Sequence, residues 1–177
     1  SNPANVILSD DIRIIDHIHS PIVQNLKKLH FQIIINLNIS EGAFSGASIT
    51  NLTIPSTIVD LKEGWCKGAS QLIKLNISPN NPRYKSINNG GFVVGKSDIN
   101  SNDYDIFVFC PRDAREIIIP DTIKVISSYS FHKCKQLETV KISKKSQLTT
   151  IERRAFSKSS IFSISFPSSL LLVSLSE

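Results

Sequence analysis

The sequence predicts a short, curved, mainly β solenoid, in which successive coils of the chain stack on one another. Three observations predict this fold: apolar residues recur with a period of 22 residues, each copy contains a run of alternating apolar and polar residues, and a proline often closes that run. A sequence that repeats roughly every 20 to 30 residues forms a stack, because each copy buries its apolar face only against its neighbours. Such stacks are typical of surface recognition rather than of catalysis.

The repeat is most regular in the copies that begin at Phe44 and Phe156. In both copies, apolar residues follow at offsets 5, 8, 10, 14 and 17, and a proline lies at offset 11. The copy that begins at Phe109 matches this pattern from offset 8 onward, and Phe131 opens the next copy 22 residues later. Cys66 takes the phenylalanine position of a further copy. We expect the rings of Phe44, Phe131 and Phe156 to lie in one vertical file.

Each copy is expected to contain one short strand and a compact corner. The run from Leu52 to Ile54 alternates apolar and polar residues, which is typical of a strand with one buried face. The following Pro55 lacks an N–H group and has a fixed φ, so it ends the strand. The next apolar residues, Ile58 and Leu61, are spaced by three without a long helical pattern. This spacing predicts a tight turn or a second short extended piece rather than a full helix.

A single domain of about seven repeats is predicted over residues 1–177, because 41% of the residues are hydrophobic and can form a continuous core. Residues 1–40 form its degenerate part. There the first copy lacks its beginning, and the second has Ser20 where a phenylalanine is expected. The apolar positions of these two copies are Val6, Leu8, Ile12 and Ile15, and then Leu26, Leu29 and Phe31.

The repeat is interrupted over about residues 79–108, where we predict an inserted β-hairpin. Residues 88–91 read Asn-Asn-Gly-Gly, which is a turn signal. Two apolar segments, 92–94 and 106–109, flank a polar stretch and are expected to be the two strands. The second strand would lead back into the next repeat. Insertions of this kind lie on one face of a solenoid and are often recognition elements.

The repeats resemble the leucine-rich repeat of BspA-like surface proteins, a family found in bacteria and in parasitic protozoa. The resemblance rests on the copy that begins at Ala43-Phe44, on the cysteine-containing variant from Ser130 to Leu137, and on the insertion from Asn81-Pro82 to Arg112. It covers about residues 41–173. It implies a leucine-rich repeat solenoid, with short parallel strands on the concave face and short turns, 3₁₀ turns or short helices on the convex side. Family members serve as adhesins, ligand binders and interaction scaffolds.

The charge is unevenly distributed. Residues 112–158 contain 11 Lys or Arg and 5 Asp or Glu, a net charge of +6, whereas the other residues have 9 and 10, a net charge of −1. The basic C-terminal half could attract a polyanion such as a sulfated glycan. Exposed aromatic residues are not interleaved with the basic ones, so specific nucleic-acid binding is not predicted. No apolar run reaches the ~20 residues of a membrane span. Because the chain has no Met, we expect it to be a processed or excised segment.

No set of residues predicts catalysis, a metal site or a cofactor. His17 and His19 could hold a divalent metal, but they lie in the degenerate part of the chain. His132 and Cys134 resemble a nucleophile pair, yet the repeat register explains Cys134 as an interior position. Cys66 and Cys134 are expected to be buried free thiols, which behave as small apolar residues. We therefore expect a protein that is not an enzyme.

The outward positions of the strands are the candidate binding site. In successive copies, the residue between the last two apolar positions of the strand is small, polar or basic, with one isoleucine among them. Lys74 and Phe162 lie beside this column. The predicted binding residues on the concave face are Thr53, Lys74, Asn76, Ile118, Lys141, Phe162 and Ser165.

The predicted function is a non-catalytic protein- or glycan-binding module of a cell-surface or secreted protein, acting in adhesion to host or matrix components. The location is implied by the resemblance alone. The alternative is an intracellular structural or interaction scaffold, associated with the cytoskeleton or another large assembly. Open sheet edges near Val6–Leu8 and Ile164–Phe166 also favour end-to-end self-association.

Overall fold

The computed structural model describes residues 4–7, 14–15, 37–44, 47–167 and 172–173. Within these ranges the chain forms short strands and turns, and no helix is found. In chain order the strands are β1 (Ala4–Ile7), β2 (Ile14–Ile15), β3 (Leu37–Ile39), β4 (Ile49–Ile54), β5 (Ile58–Leu61), β6 (Lys74–Ile77), β7 (Tyr84–Ile87), β8 (Phe92–Gly95), β9 (Ile106–Phe109), β10 (Glu116–Ile119), β11 (Val125–Ile126), β12 (Thr139–Ile142), β13 (Thr150–Ile151), β14 (Ser163–Ile164) and β15 (Leu172–Val173).

The strands lie in two columns, in each of which strands of successive coils lie side by side. The first strand column contains the runs of alternating apolar and polar residues. It consists of two three-stranded parallel sheets with the strand orders β1-β4-β6 and β10-β12-β14. Burial alternates along each run: in β10, Ile117 and Ile119 are buried, whereas Glu116 and Ile118 are exposed. This alternation follows from the two-residue period of a strand and determines which side chains face outward. The predicted solenoid of short parallel strands is confirmed.

The second strand column contains the corners that follow the first strands. Here β2, β3 and β5 form one parallel sheet, and β9, β11, β13 and β15 pair in parallel in another. Of the two conformations that the sequence left open for these corners, the short extended piece is therefore the one adopted. Such pieces are compact enough for one coil to be completed in about 22 residues.

The N-terminal copies depart from regular stacking. β1 pairs directly with β4, with Val6 opposite Leu52. No strand of the second copy therefore lies between them in this column. The residues predicted to form that strand, Leu26 to Phe31, lie outside the described residues, as do Leu8 and Ile12.

The inserted hairpin is confirmed and has one more strand than predicted. β8 and β9 pair antiparallel, as expected, and β7 pairs antiparallel with β8 on its other side. Asn88, Asn89 and Gly90 form the turn between β7 and β8 with φ angles of 54°, 53° and 89°. Asparagine and glycine tolerate this left-handed region best, which explains the turn. Because β9 also pairs in parallel with β11, the insertion is built into the second column.

The interior contains two clusters of buried side chains that meet at β8 and β9. The C-terminal cluster contains a file of stacked rings: Phe107 and Phe156 lie on either side of Phe131, each with a centroid distance of 4.7 Å. Phe44 lies instead in the N-terminal cluster, where its ring meets Trp65 edge-on at 6.2 Å.

The expectation of one vertical file of Phe44, Phe131 and Phe156 is therefore correct only for the last two rings. Phe109, which we expected to open a copy, contacts Trp65 at 6.1 Å, and Phe107 takes its place beside Phe131. The reason is the insertion. The antiparallel strand β8 enters beside β9, so the 22-residue register is not continuous across this point.

Candidate binding surface

The predicted binding residues fall into two groups on the outward face of the first column. In the N-terminal sheet, the register places Thr53 beside Asn76 and Asn51 beside Lys74. These residues are polar, and Lys74 is exposed. This first group is a small polar patch formed by two adjacent strands, β4 and β6.

The second group is more apolar and more exposed. Ile118 of β10 lies beside Lys141 of β12, and the Ile118 residue is 62% exposed. Phe162 precedes β14 and is 79% exposed, and its backbone N–H donates to the carbonyl of Glu138 (3.3 Å). Ser165 follows β14 and is also exposed. Large apolar side chains are rarely left this accessible together, so this group is the better candidate for a contact surface.

Lys141 does not present an isolated charge. Its Nζ lies 2.7 Å from a carboxylate oxygen of Glu116 on the neighbouring strand, and both side chains are about half exposed. An exposed ion pair of this kind contributes at most about 1 kcal/mol to stability. The two charges beside Ile118 therefore largely offset each other.

A groove separates the two groups. Regular stacking continues from β4 to β6, where the N–H of Ile73 donates to the carbonyl of Thr50 (2.9 Å). After β6, the N–H of Arg112 still donates to the carbonyl of Leu72 (3.0 Å), but β6 and β10 belong to different sheets. The space between them is a groove of ≈ 630 Å³. Its walls contain Ile73, Lys74, residues 88–92, Pro111, Asp113, Ala114 and residues 116–118.

The turn of the inserted hairpin forms one wall of this groove. Gly90 lies so close to Lys74 that a Cβ atom built on it would be 2.8 Å from Lys74 Cγ. The sequence identified this turn but not its position, because no local pattern indicates where an inserted hairpin packs. The groove is thus a part of the surface that sequence reasoning missed.

A second groove of ≈ 500 Å³ lies along the second column, between the β5 region and β9, β11 and β13. Its charged side chains already have partners within the chain. Arg153 donates to Glu63, Lys62 pairs with Asp60, and Glu152 accepts from the backbone N–H of Ser128 (2.8 Å). This self-paired lining offers less to a partner than the groove beside Ile118.

The most unusual buried group is Arg112, which is only 5% exposed. Its guanidinium donates to the sulfur of Cys66 (3.1 Å) and to the carbonyl of Ser130 (3.1 Å), and it lies 3.6 Å from the sulfur of Cys134. It also stacks over the ring of Phe109 at 4.9 Å. A buried charge must be surrounded by acceptors, and carbonyl oxygens and polarizable sulfurs supply them here. Sequence analysis predicted the buried thiols but not this arginine, which it counted as a surface charge.

The thiols respond differently to this environment. A hydrogen bond from Cys110, together with the nearby charge of Arg112, lowers the pKa of Cys134 to about 7 in spite of burial. Burial raises the pKa of Cys66 and that of Cys110. Burial and the charge of Arg112 lower the pKa of His132 to about 4, so its imidazole is neutral at pH 7. The charge of Arg112 favours the thiolate of both Cys66 and Cys134, but at Cys66 the cost of burying that anion is larger.

These groups have no access to a substrate. Cys110 and Cys134 are fully buried, and Cys66 is 2% exposed. His132 packs its ring against Tyr129 at 5.5 Å. Within the core, Arg112 forms polar contacts that link the coil containing Cys66 to the coil containing Cys134.

Within the described ranges, no group of three or more His, Cys, Asp or Glu side chains is placed to hold a metal ion. His17 and His19 lie outside those ranges. No helix in the described part of the chain has the length and apolarity needed to cross a bilayer.

The basic half offers less free charge than its composition suggests. Besides the buried Arg112, Lys124 lies 3.9 Å from Asp105, Lys141 pairs with Glu116, and Arg153 donates to Glu63. At least these four of its 11 basic side chains are therefore buried or paired with a carboxylate.

Solved structures with the same fold are bacterial leucine-rich repeat proteins. The pneumococcal vaccine antigen PcpA has a TM-score of 0.64 at 20% identity, over 94% of this chain and 40% of that one. A leucine-rich cell surface protein from Faecalibacterium prausnitzii has a TM-score of 0.56 at 18% identity, over 84% and 41%. A leucine-rich repeat protein from Eubacterium ventriosum has a TM-score of 0.51 at 24% identity, over 66% and 32%. The chain thus spans less than half the length of each.

No match is found among curated proteins. The sequence model of the BspA-type leucine-rich repeat region, in contrast, matches residues 4–94 and 103–175 with six copies. Since this match includes almost the whole chain and the described strands stack as the repeat requires, the chain belongs to the BspA-type leucine-rich repeat family.

Proposed function

We propose that this chain is a non-catalytic binding module that engages a protein or glycan partner through the outward face of the first strand column. The observation that carries the proposal is the high exposure of Ile118 (62%) in β10 and of Phe162 (79%) beside β14, a strand of the same sheet. Partly apolar, nearly neutral surfaces with exposed aromatic residues are typical of contact sites. The polar side chains of Thr53, Asn76 and Ser165 would surround such a contact.

The proposed location is the cell surface or the extracellular space. Support comes from the family and from two solved relatives, a vaccine antigen and a cell surface protein. The competing proposal is an intracellular scaffold attached to the cytoskeleton. Mass spectrometry of Asn38, Asn51 and Asn76 from the native source distinguishes them, because a glycan on any of these sequons requires passage through the secretory route.

The binding face is tested by replacing Ile118 and Phe162 together with aspartate. We expect the double variant to lose at least about tenfold in affinity, or about 1.4 kcal/mol, because two apolar anchors become charged. Binding is measured against a panel of matrix proteins and a glycan array. Ile99→Asp is the matched control, because Ile99 is also an exposed isoleucine (39%) but lies in the loop between β8 and β9. Equal binding by wild type and double variant would exclude this face.

A further inference from the structure

The edge of β10 that faces the groove is an open strand edge. The carbonyl of Arg115 accepts from the N–H groups of Glu138 (2.8 Å) and Thr139 (3.3 Å), so the backbone of Arg115 faces β12. In a parallel ladder, successive residues direct their N–H and C=O groups to opposite sides of the strand. The backbone groups of Glu116 and Ile118 therefore face the groove. The described part of the chain offers these groups no hydrogen-bond partner.

The opposite edge, that of β6, is partly covered by the insertion. The carbonyl of Ile54 accepts from the N–H of Ser78 (2.9 Å), so Leu75 and Ile77 direct their backbone groups away from β4. The hydroxyl of Ser86 in β7 occupies that side. It donates to the carbonyl of Leu75 (2.7 Å) and accepts from the N–H of Ile77 (3.0 Å). One serine of the insertion thus satisfies two of the four backbone groups on this edge of β6, and within the described residues no side chain does the same for β10.

We propose that the groove between β10 and the hairpin turn binds an extended peptide, which adds to the edge of β10 as a further strand. This inference rests on the proposed binding function and identifies the class of partner. The observation that selects a peptide is the alternating row of donors and acceptors on Glu116 and Ile118. An extended backbone matches such a row, because its own N–H and C=O groups recur every two residues.

The surroundings of the edge suit a short peptide. The groove of ≈ 630 Å³ has Ile118 exposed on one rim and Ile73, 41% exposed, among its other lining residues. Apolar side chains of the peptide would cover these two residues. Glu116 and Ile118 together offer two N–H and two C=O groups at this edge. The paired segment of the peptide is therefore about three to five residues long, at the lower end of the range for natural strands.

The first test uses a displayed library of random linear peptides, selected on the wild-type protein. The affinity of the selected peptides is then measured for Ile118→Pro and for the control Ile118→Val. Proline removes the Ile118 N–H and places its ring at the edge. That N–H does not bond to β12, so we expect the fold to persist, which a urea unfolding curve checks. We expect the affinity for the peptides to fall about tenfold or more in Ile118→Pro and to change little in Ile118→Val.

The second test leaves the protein unchanged. Two versions of a selected peptide are N-methylated, one at odd and one at even residues. Strand addition requires that only one of the two versions loses binding, because only every second N–H faces β10. Equal losses in both versions, or in neither, would overturn the proposal, as would a selection that yields no peptide.

Other occupants give different results. A dimer in sedimentation experiments that Ile118→Pro abolishes would assign the edge to a second copy of this chain and overturn the peptide proposal. A glycan whose binding is lost in the Ile118 and Phe162 double variant but retained in Ile118→Pro would also overturn it. In that last case the broader binding function would stand.

Discussion

At the scale of single residues, the structure assigns a central place in the core to a side chain that looks ordinary in the sequence. Arg112 is surrounded by two sulfurs, two backbone carbonyls and one aromatic ring. Its position follows from the insertion, because the chain returns from β9 directly over Leu72 and into the core. Arg112 therefore connects the coils before and after the insertion.

Replacing Arg112 with methionine, which has a similar length, tests this role. The carbonyl of Cys110 and the sulfur of Cys66 would lose the donor that Arg112 supplies, whereas the carbonyl of Ser130 would keep the N–H of Cys110. We expect the free energy of unfolding to fall by about 2 to 4 kcal/mol in a urea titration. Arg115→Met is the control, since Arg115 is exposed three residues later and should change stability by less than about 0.5 kcal/mol. Equal urea unfolding midpoints for the two variants would contradict the stabilising role of Arg112.

At the scale of elements, one buried amide fixes the start of the insertion against the solenoid. The side chain of Asn81 donates to the carbonyls of Pro55 and Ile58, both at 2.8 Å. It accepts from the N–H groups of Arg83 (3.0 Å) and Tyr84 (2.8 Å), which begin β7. Asn81 thus positions the hairpin against the corner after β4. Because the hairpin turn forms a groove wall, the amide also determines the shape of the groove.

The variant Asn81→Ala would leave two carbonyls and two N–H groups without their partner. We expect a loss of about 2 to 4 kcal/mol in the free energy of unfolding. We also expect faster hydrogen exchange in β7 and β8, because the hairpin loses its attachment. Asn80→Ala is the matched control, since Asn80 is exposed and directly precedes Asn81. If the two variants exchange at the same rate, the hairpin is held by other contacts.

At the scale of the whole molecule, stability is divided between two clusters that contact each other near the insertion. Phe131 belongs to the C-terminal cluster, where it is fully buried between Phe107 and Phe156. Phe44 and Trp65 belong to the N-terminal cluster. In a stacked repeat, each unit interacts mainly with its neighbours, so a local defect should have a local effect.

The variant Phe131→Ala tests this division. Loss of a fully buried ring should cost about 3 to 5 kcal/mol. We expect faster hydrogen exchange in β11, β12 and β13, while exchange in β4 and β6 stays close to that of wild type. Uniform acceleration over both clusters would show instead that the described coils unfold as one cooperative unit.

The residues by themselves determined the repeat, the parallel strands and the side of each strand that faces outward. These features depend on local periodicity, which is why the sequence alone places Ile118 on the outward side of its strand. The insertion was also recognisable, because turn residues at 88–91 interrupt the apolar ladder.

Only the tertiary structure decided where the insertion packs and what it does to the stack. It placed Phe107 rather than Phe109 against Phe131, brought Arg112 into the core, and separated β6 from β10 to form the groove. These outcomes depend on contacts between residues tens of positions apart, such as Asn81 with Pro55 and Arg112 with Cys66. Periodicity cannot encode them, because an inserted hairpin belongs to no copy of the repeat.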